Sequence, residues 1–123
     1  MGTGRVEIPG SAPKHAENVS RSPVSPGISL SVSVILAQPN AEDVASVEHF
    51  GREYGLQVEE GSAEKRTVKL AGTAEQMEQA FGVELGHYGD AISYAGPLTV
   101  PDSLNGKVIA ALGLDQRPIA RRG

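Results

Sequence analysis

Three imidazoles, His15, His49 and His87, are the side chains here best suited to metal or proton chemistry. A metal site would want two of them close together, for instance at helical spacing with a carboxylate nearby. None is so placed: His15 falls in a Pro-rich opening segment, His49 on a helix and His87 at a strand end. Nucleophilic chemistry fares no better. Serines are many, yet none sits in a Gly-x-Ser-x-Gly elbow. Gly2-Thr3-Gly4 has no strand before it and no helix after it, so it is not a phosphate loop. Glu42, Asp43, Glu48 and Glu53 are placed on the outer, solvated face of the first helix. Cys is absent, which excludes disulfides, thiolate nucleophiles, zinc knuckles and iron–sulfur clusters. By residue type alone this is a binding or folding module rather than an enzyme, and no metal or cofactor is expected.

The elements that must carry such a module are set by composition. A chain of 123 residues suffices for one domain but not for two that each bury a core. With 39% hydrophobic and 4% aromatic residues, the core must be built from Val, Leu, Ile and Ala. The net charge of -4 argues against nucleic acid, and Arg121-Arg122 are too few basic residues to grip it. No apolar run approaches the roughly 18 residues of a membrane span. Met1 to Gly27, broken by Pro, Ser and charges, shows no signal-peptide core.

Residues 1–27 hold Pro9, Pro13, Pro23 and Pro26 among small polar residues, and are expected to form a flexible N-terminal arm. From Ile28 the chain alternates: Leu30, Val32, Val34 and Leu36 against Ser29, Ser31, Ser33 and Ile35, a half-buried strand with one serine face. Asn40 is placed as an N-cap, and Val44, Val47, Phe50 and Tyr54 follow at helical spacing up to Gly55. Strands are expected at Leu56–Glu59 and Thr67–Leu70. Thr73 and Gln76 form a capping box for a second helix carrying Met77, Ala80 and Phe81, which Gly82 ends. Val83-Glu84-Leu85 opens a fourth strand. Leu104, Val108, Ile109 and Leu112 lie at the spacing of one more helical segment, closed by Gly113. The repeated strand–helix–strand pattern predicts an α+β fold, a ferredoxin-like antiparallel sheet (βαββαβ) with both main helices on one face and an extra C-terminal helical segment. The domain is expected over 28–115, with a linker over 116–123.

Two blocks carry a family likeness. Arg66-Thr67-Val68-Lys69-Leu70-Ala71-Gly72-Thr73 followed by Gln76-Met77-Glu78-Gln79-Ala80-Phe81-Gly82-Val83 resembles the "R-T-V-x-L-S-G-T … Q-x-x-Q-A-F-G-V" block of pro-kumamolisin activation domains. These are the N-terminal propeptides of sedolisins, the serine-carboxyl peptidases of subtilisin-like fold. Tyr94, Leu98-Thr99-Val100-Pro101 and Val108 to Pro118 resemble the family's "Y … I-x-V-P … V-x-x-V-L-G-L-D-x-R-P". Looser likenesses are Tyr54-Gly55-Leu56 and the opening Ile8-Pro9-Gly10-Ser11, similar to "L-P-G-S". The segment between the first strand and Phe50 is shorter than in many members. The peptidases' Gly-Thr-Ser nucleophile motif has no counterpart, since Gly72-Thr73 is followed by Ala74, so no catalytic residue is carried over.

The resemblance implies an intramolecular chaperone and cleft-occluding inhibitor, released by proteolysis at acidic pH, whose partner is a sedolisin-type protease domain in cis. It also implies an extracellular precursor. Two site predictions follow. The open sheet face, with candidates Ser29, Ser31, Ser33, Thr67 and Lys69, is expected to dock on the protease, although the same five residues also fit a plain solvated face. Arg117, Pro118, Ile119, Ala120, Arg121 and Arg122 are expected to run extended through the protease cleft. No nucleic acid, membrane or cofactor is expected, and the chain is expected to be a monomer. The alternative is a free-standing ferredoxin-like protein-binding module.

Overall fold

The computed structural model describes residues 4–11, 21–88 and 91–114. Two short strands come first, β1 (Arg5–Glu7) and β2 (Arg21–Pro23), then β3 (Ser29–Leu36), helix α1 (Ala41–Glu53) and β4 (Gln57–Ser62). The second repeat holds β5 (Thr67–Thr73), α2 (Ala74–Phe81) and β6 (Leu85–Tyr88). After these come β7 (Ala91–Tyr94), β8 (Thr99–Pro101), a 3-10 turn (Asp102–Leu104) and β9 (Val108–Leu112).

The local chemistry behind the helices is as expected. The Asn40 side chain accepts from the Glu42 N–H at 2.7 Å and starts α1. Gly55, with φ of 81°, takes the left-handed conformation just past the helix end. At α2 both arms of the capping box are made: Gln76 N–H donates to Thr73 Oγ1 at 3.2 Å, and Thr73 N–H to Gln76 Oε1 at 2.9 Å. Gly82 closes that helix in the left-handed region.

The main sheet has the order β4-β5-β3-β9, every neighbouring pair antiparallel. It is compatible with the ferredoxin-like sandwich. On its inner face Leu30, Val32, Val34 and Leu36 of β3 meet Val68 and Leu70 of β5, all buried. Val47 and Phe50 of α1 and Met77, Ala80 and Phe81 of α2 cover them. Phe50 and Phe81 meet edge to face, centroids 5.5 Å apart, a contact that requires both helices on the same side.

Two expectations are corrected. The fourth strand of the main sheet is β9, and the extra C-terminal helical segment does not form. Leu104, Val108 and Leu112 fit helical spacing, but Gly106 at φ of 79° turns the chain between Leu104 and Val108, leaving a run of only five residues. A run that short, with β-branched Val108 and Ile109, pairs with β3 instead. The segment after Val83 goes elsewhere: β6 pairs with β7 and β2 in a separate three-stranded sheet.

The other correction concerns the N-terminal arm. Residues 4–11 and 21–27 are built into the body, β1 pairing with β8 and β2 with β6. Ile8, 1% exposed, belongs to the core. The Arg5 guanidinium donates to the Ala80 carbonyl at 2.6 Å, the Thr99 carbonyl at 2.9 Å and the Tyr54 hydroxyl at 3.0 Å. A cation at the C-terminal end of α2 also suits the helix dipole.

Candidate docking face

The main sheet has helices on one face only, and its other face brings the predicted docking residues together. The β3–β5 register sets Ser29 opposite Thr73, Ser31 opposite Ala71, Ser33 opposite Lys69 and Ile35 opposite Thr67. Alternation puts all of these on the side away from the core. Ser29, Ser31 and Lys69 are exposed, while Ser33 and Thr67 are half-buried. The Thr67 hydroxyl donates to the Lys65 carbonyl at 2.9 Å, so it is committed to its own turn. Ser29, Ser31, Ser33 and Ala71 put small side chains along the centre of this face, with Lys69 and Ile35 beside them. At one end a recess of about 490 Å³ opens, lined by Ser29, Ser31, Gln57, Glu59, Thr73 and Gln76.

Gly72 pairs with Leu30 on the helix-covered side of β5, and a Cβ there would collide with Leu56 Cδ2 and come within 2.7 Å of Gln76 Oε1. The same Gln76 closes the capping box, so the recess and the start of α2 share one side chain.

The face is wider than the five predicted residues. Leu112 of β9 stands opposite Ser33, and Ala110 opposite Ile35. Leu112 is 58% exposed. Both were hidden by the helical spacing of the segment; the signal that reveals them is the β-branched pair Val108-Ile109 between Gly106 and Gly113. The predicted cleft segment, Arg117 to Arg122, lies outside the described residues.

The remaining candidates are scattered. His49 pairs with Glu53 at 3.4 Å on the exposed side of α1, and His87 sits in β6; His15 lies outside the described residues. Asp43 corrects the expectation of a wholly solvated acidic face, since it is buried at 9% exposure. Among the described residues no group of three or more His, Cys, Asp or Glu could hold a metal ion. No helix among them is long and apolar enough to cross a membrane.

The main sheet is thus one-sided, with two helices behind it and Ser29, Ser31, Ser33 and Ala71 along the face in front. Residues 35–117 match the family model described as pro-kumamolisin, activation domain, and the chain belongs to that family.

Kumamolisin from Bacillus sp. (strain MN-32) is 37% identical over 84 residues, a stretch covering 65% of this chain and 15% of that relative. The family match begins inside β3, so Ile8-Pro9-Gly10-Ser11 lies outside it.

Proposed function

We propose that this domain is the propeptide of a sedolisin-type serine-carboxyl peptidase, acting in cis as folding template and inhibitor in an extracellular precursor. The observation that carries the reading is the uncovered sheet face, whose small side chains allow a helical surface to approach closely. A subtilisin-like domain must close many long-range contacts around a parallel sheet, which is slow, and a preformed surface to pack against speeds that search. An interface of about 1,600 Å² is the standard size for a stable complex. The sheet face supplies that affinity, and the segment after Leu114, run through the cleft as an added strand, supplies the occlusion. Acidification releases the domain as carboxylates lose their ion pairs with the peptidase.

The test is inhibition in trans. The chain, added to a kumamolisin-type peptidase, should slow turnover, and less so as pH falls. It should also raise the yield of active enzyme when the denatured peptidase domain is refolded beside it. A chain that neither inhibits nor assists refolding would return the domain to the free-standing binding module.

A further inference from the structure

We propose that Leu112 is the apolar anchor of the docking face, and that the surface covering it is the peptidase domain of the same precursor; the inference rests on the activation-domain reading above. Leu112 stands on the outer face opposite Ser33, 58% exposed. Its neighbours on that face are Ser33, Ala110 and the half-buried Ile35, so Leu112 and Ile35 form one apolar patch beside the serines. Covering a leucine this exposed removes its apolar surface from water, which is the favourable term in association.

The path of the chain argues for the occupant. One residue beyond Leu112, Gly113 adopts φ of 120°, and a Cβ there would come within 2.5 Å of the Ser31 carbonyl oxygen. Leu114 is then fully buried. The backbone is thus pinned against β3 within two residues of Leu112, on the edge strand that carries it. A peptidase domain joined to this chain in cis would meet the face at high effective concentration. A second copy of the chain would have no such tether and would have to bury a standard interface around one leucine on each side.

Ile109 provides the contrast. It belongs to the same strand and is 46% exposed, but it sits at the register shift of β9 and lines a different recess with Val6, Ile8, Val100 and Leu104. Exposed hydrophobicity is therefore present at two points of β9, and only one faces the partner.

The experiment measures binding of this chain to the Bacillus sp. (strain MN-32) kumamolisin peptidase domain with its nucleophile replaced, for the unaltered chain, Leu112→Asp and Ile109→Asp. Leu112→Asp should weaken binding by about tenfold or more. Ile109→Asp should stay within about twofold, and thermal unfolding should show both variants folded. Leu112→Ser, which extends the serine face, repeats the measurement if Asp disturbs the strand. Unchanged affinity on losing Leu112, or equal losses at both positions, overturns the proposal. An unaltered chain that fails to bind overturns the proposed propeptide function instead. A dimer of the unaltered chain in sedimentation that Leu112→Asp dissolves assigns the face to a second copy and also overturns the proposal.

Discussion

The Tyr94 hydroxyl donates to the Ser11 carbonyl at 2.8 Å, joining positions 83 residues apart. Around it, Ser11 Oγ donates to the Ile8 carbonyl at 2.6 Å and accepts the Leu98 N–H at 2.9 Å, while Ile8 N–H donates to the Leu98 carbonyl at 2.8 Å. The tetrapeptide Ile8-Pro9-Gly10-Ser11 and the stretch from Tyr94 to Pro101, both noticed as sequence motifs, are therefore the two halves of one clamp. Gly10, at φ of 73°, makes the turn that brings Ser11 back to Ile8.

The clamp predicts an order of effects. Ser11→Ala leaves the N–H of fully buried Leu98 without its partner, which costs about 1–3 kcal/mol, whereas Tyr94→Phe removes one hydrogen bond, worth about 0.5–1.5 kcal/mol. Denaturant titration should show the serine change as the more damaging. In a double-mutant cycle the two losses should not add, because both loosen the same turn. Additive losses would mean that the bonds act separately.

Arg5 is a second long-range tie. Its guanidinium reaches Ala80, Thr99 and Tyr54 together, and the Thr99 hydroxyl it contacts donates onward to the Phe81 carbonyl at 3.1 Å. Arg5→Ala should cost about 1.5–3 kcal/mol, the range for hydrogen bonds to a charged group. Arg5→Lys should recover little of this, since an ammonium cannot reproduce the planar fork. Full recovery of the melting temperature by lysine would show that charge alone matters.

Phe81 is fully buried and stacks edge to face on Phe50, the other phenylalanine of the chain. Phe81→Ala should therefore cost on the order of 3–5 kcal/mol, much of a small domain's stability. Urea unfolding is the measurement, and a loss under about 1 kcal/mol would show that the helix–sheet contact relaxes without strain.

The sequence was most legible where local chemistry and tertiary packing agree. Serines alternating with Leu and Val left β3 one possible orientation, and with it the positions of Ser29, Ser31 and Ser33. Asn40 and the Thr73–Gln76 box fixed the helix starts within the first turn. It was least legible where pairing is non-local. Arg5–Glu7 and Arg21–Pro23 are three-residue strands with no period of their own, ordered by β8 and β6 far along the chain. Val108–Leu112 carries a pattern that suits either helix or strand, and the free edge of β3 decided it. Leu112 was missed for that reason alone.

Cutting the chain after Asp115 separates the two roles proposed for this domain. The cut lies beyond β9, and Leu114, the last residue described, keeps its buried place in the core. Stability of the truncated domain should therefore match that of the full chain within about 0.5 kcal/mol, as for changes away from packed sites. Its sheet face, with Leu112, Ser31 and Ser33, is intact, so binding to a nucleophile-replaced peptidase should persist. Inhibition of the active enzyme should not, because nothing is left to lie in the cleft. The decisive comparison is binding and inhibition by one truncated protein at one pH. Binding without inhibition assigns affinity to the face and occlusion to Arg117–Arg122; retained inhibition would mean that the folded domain alone blocks the cleft.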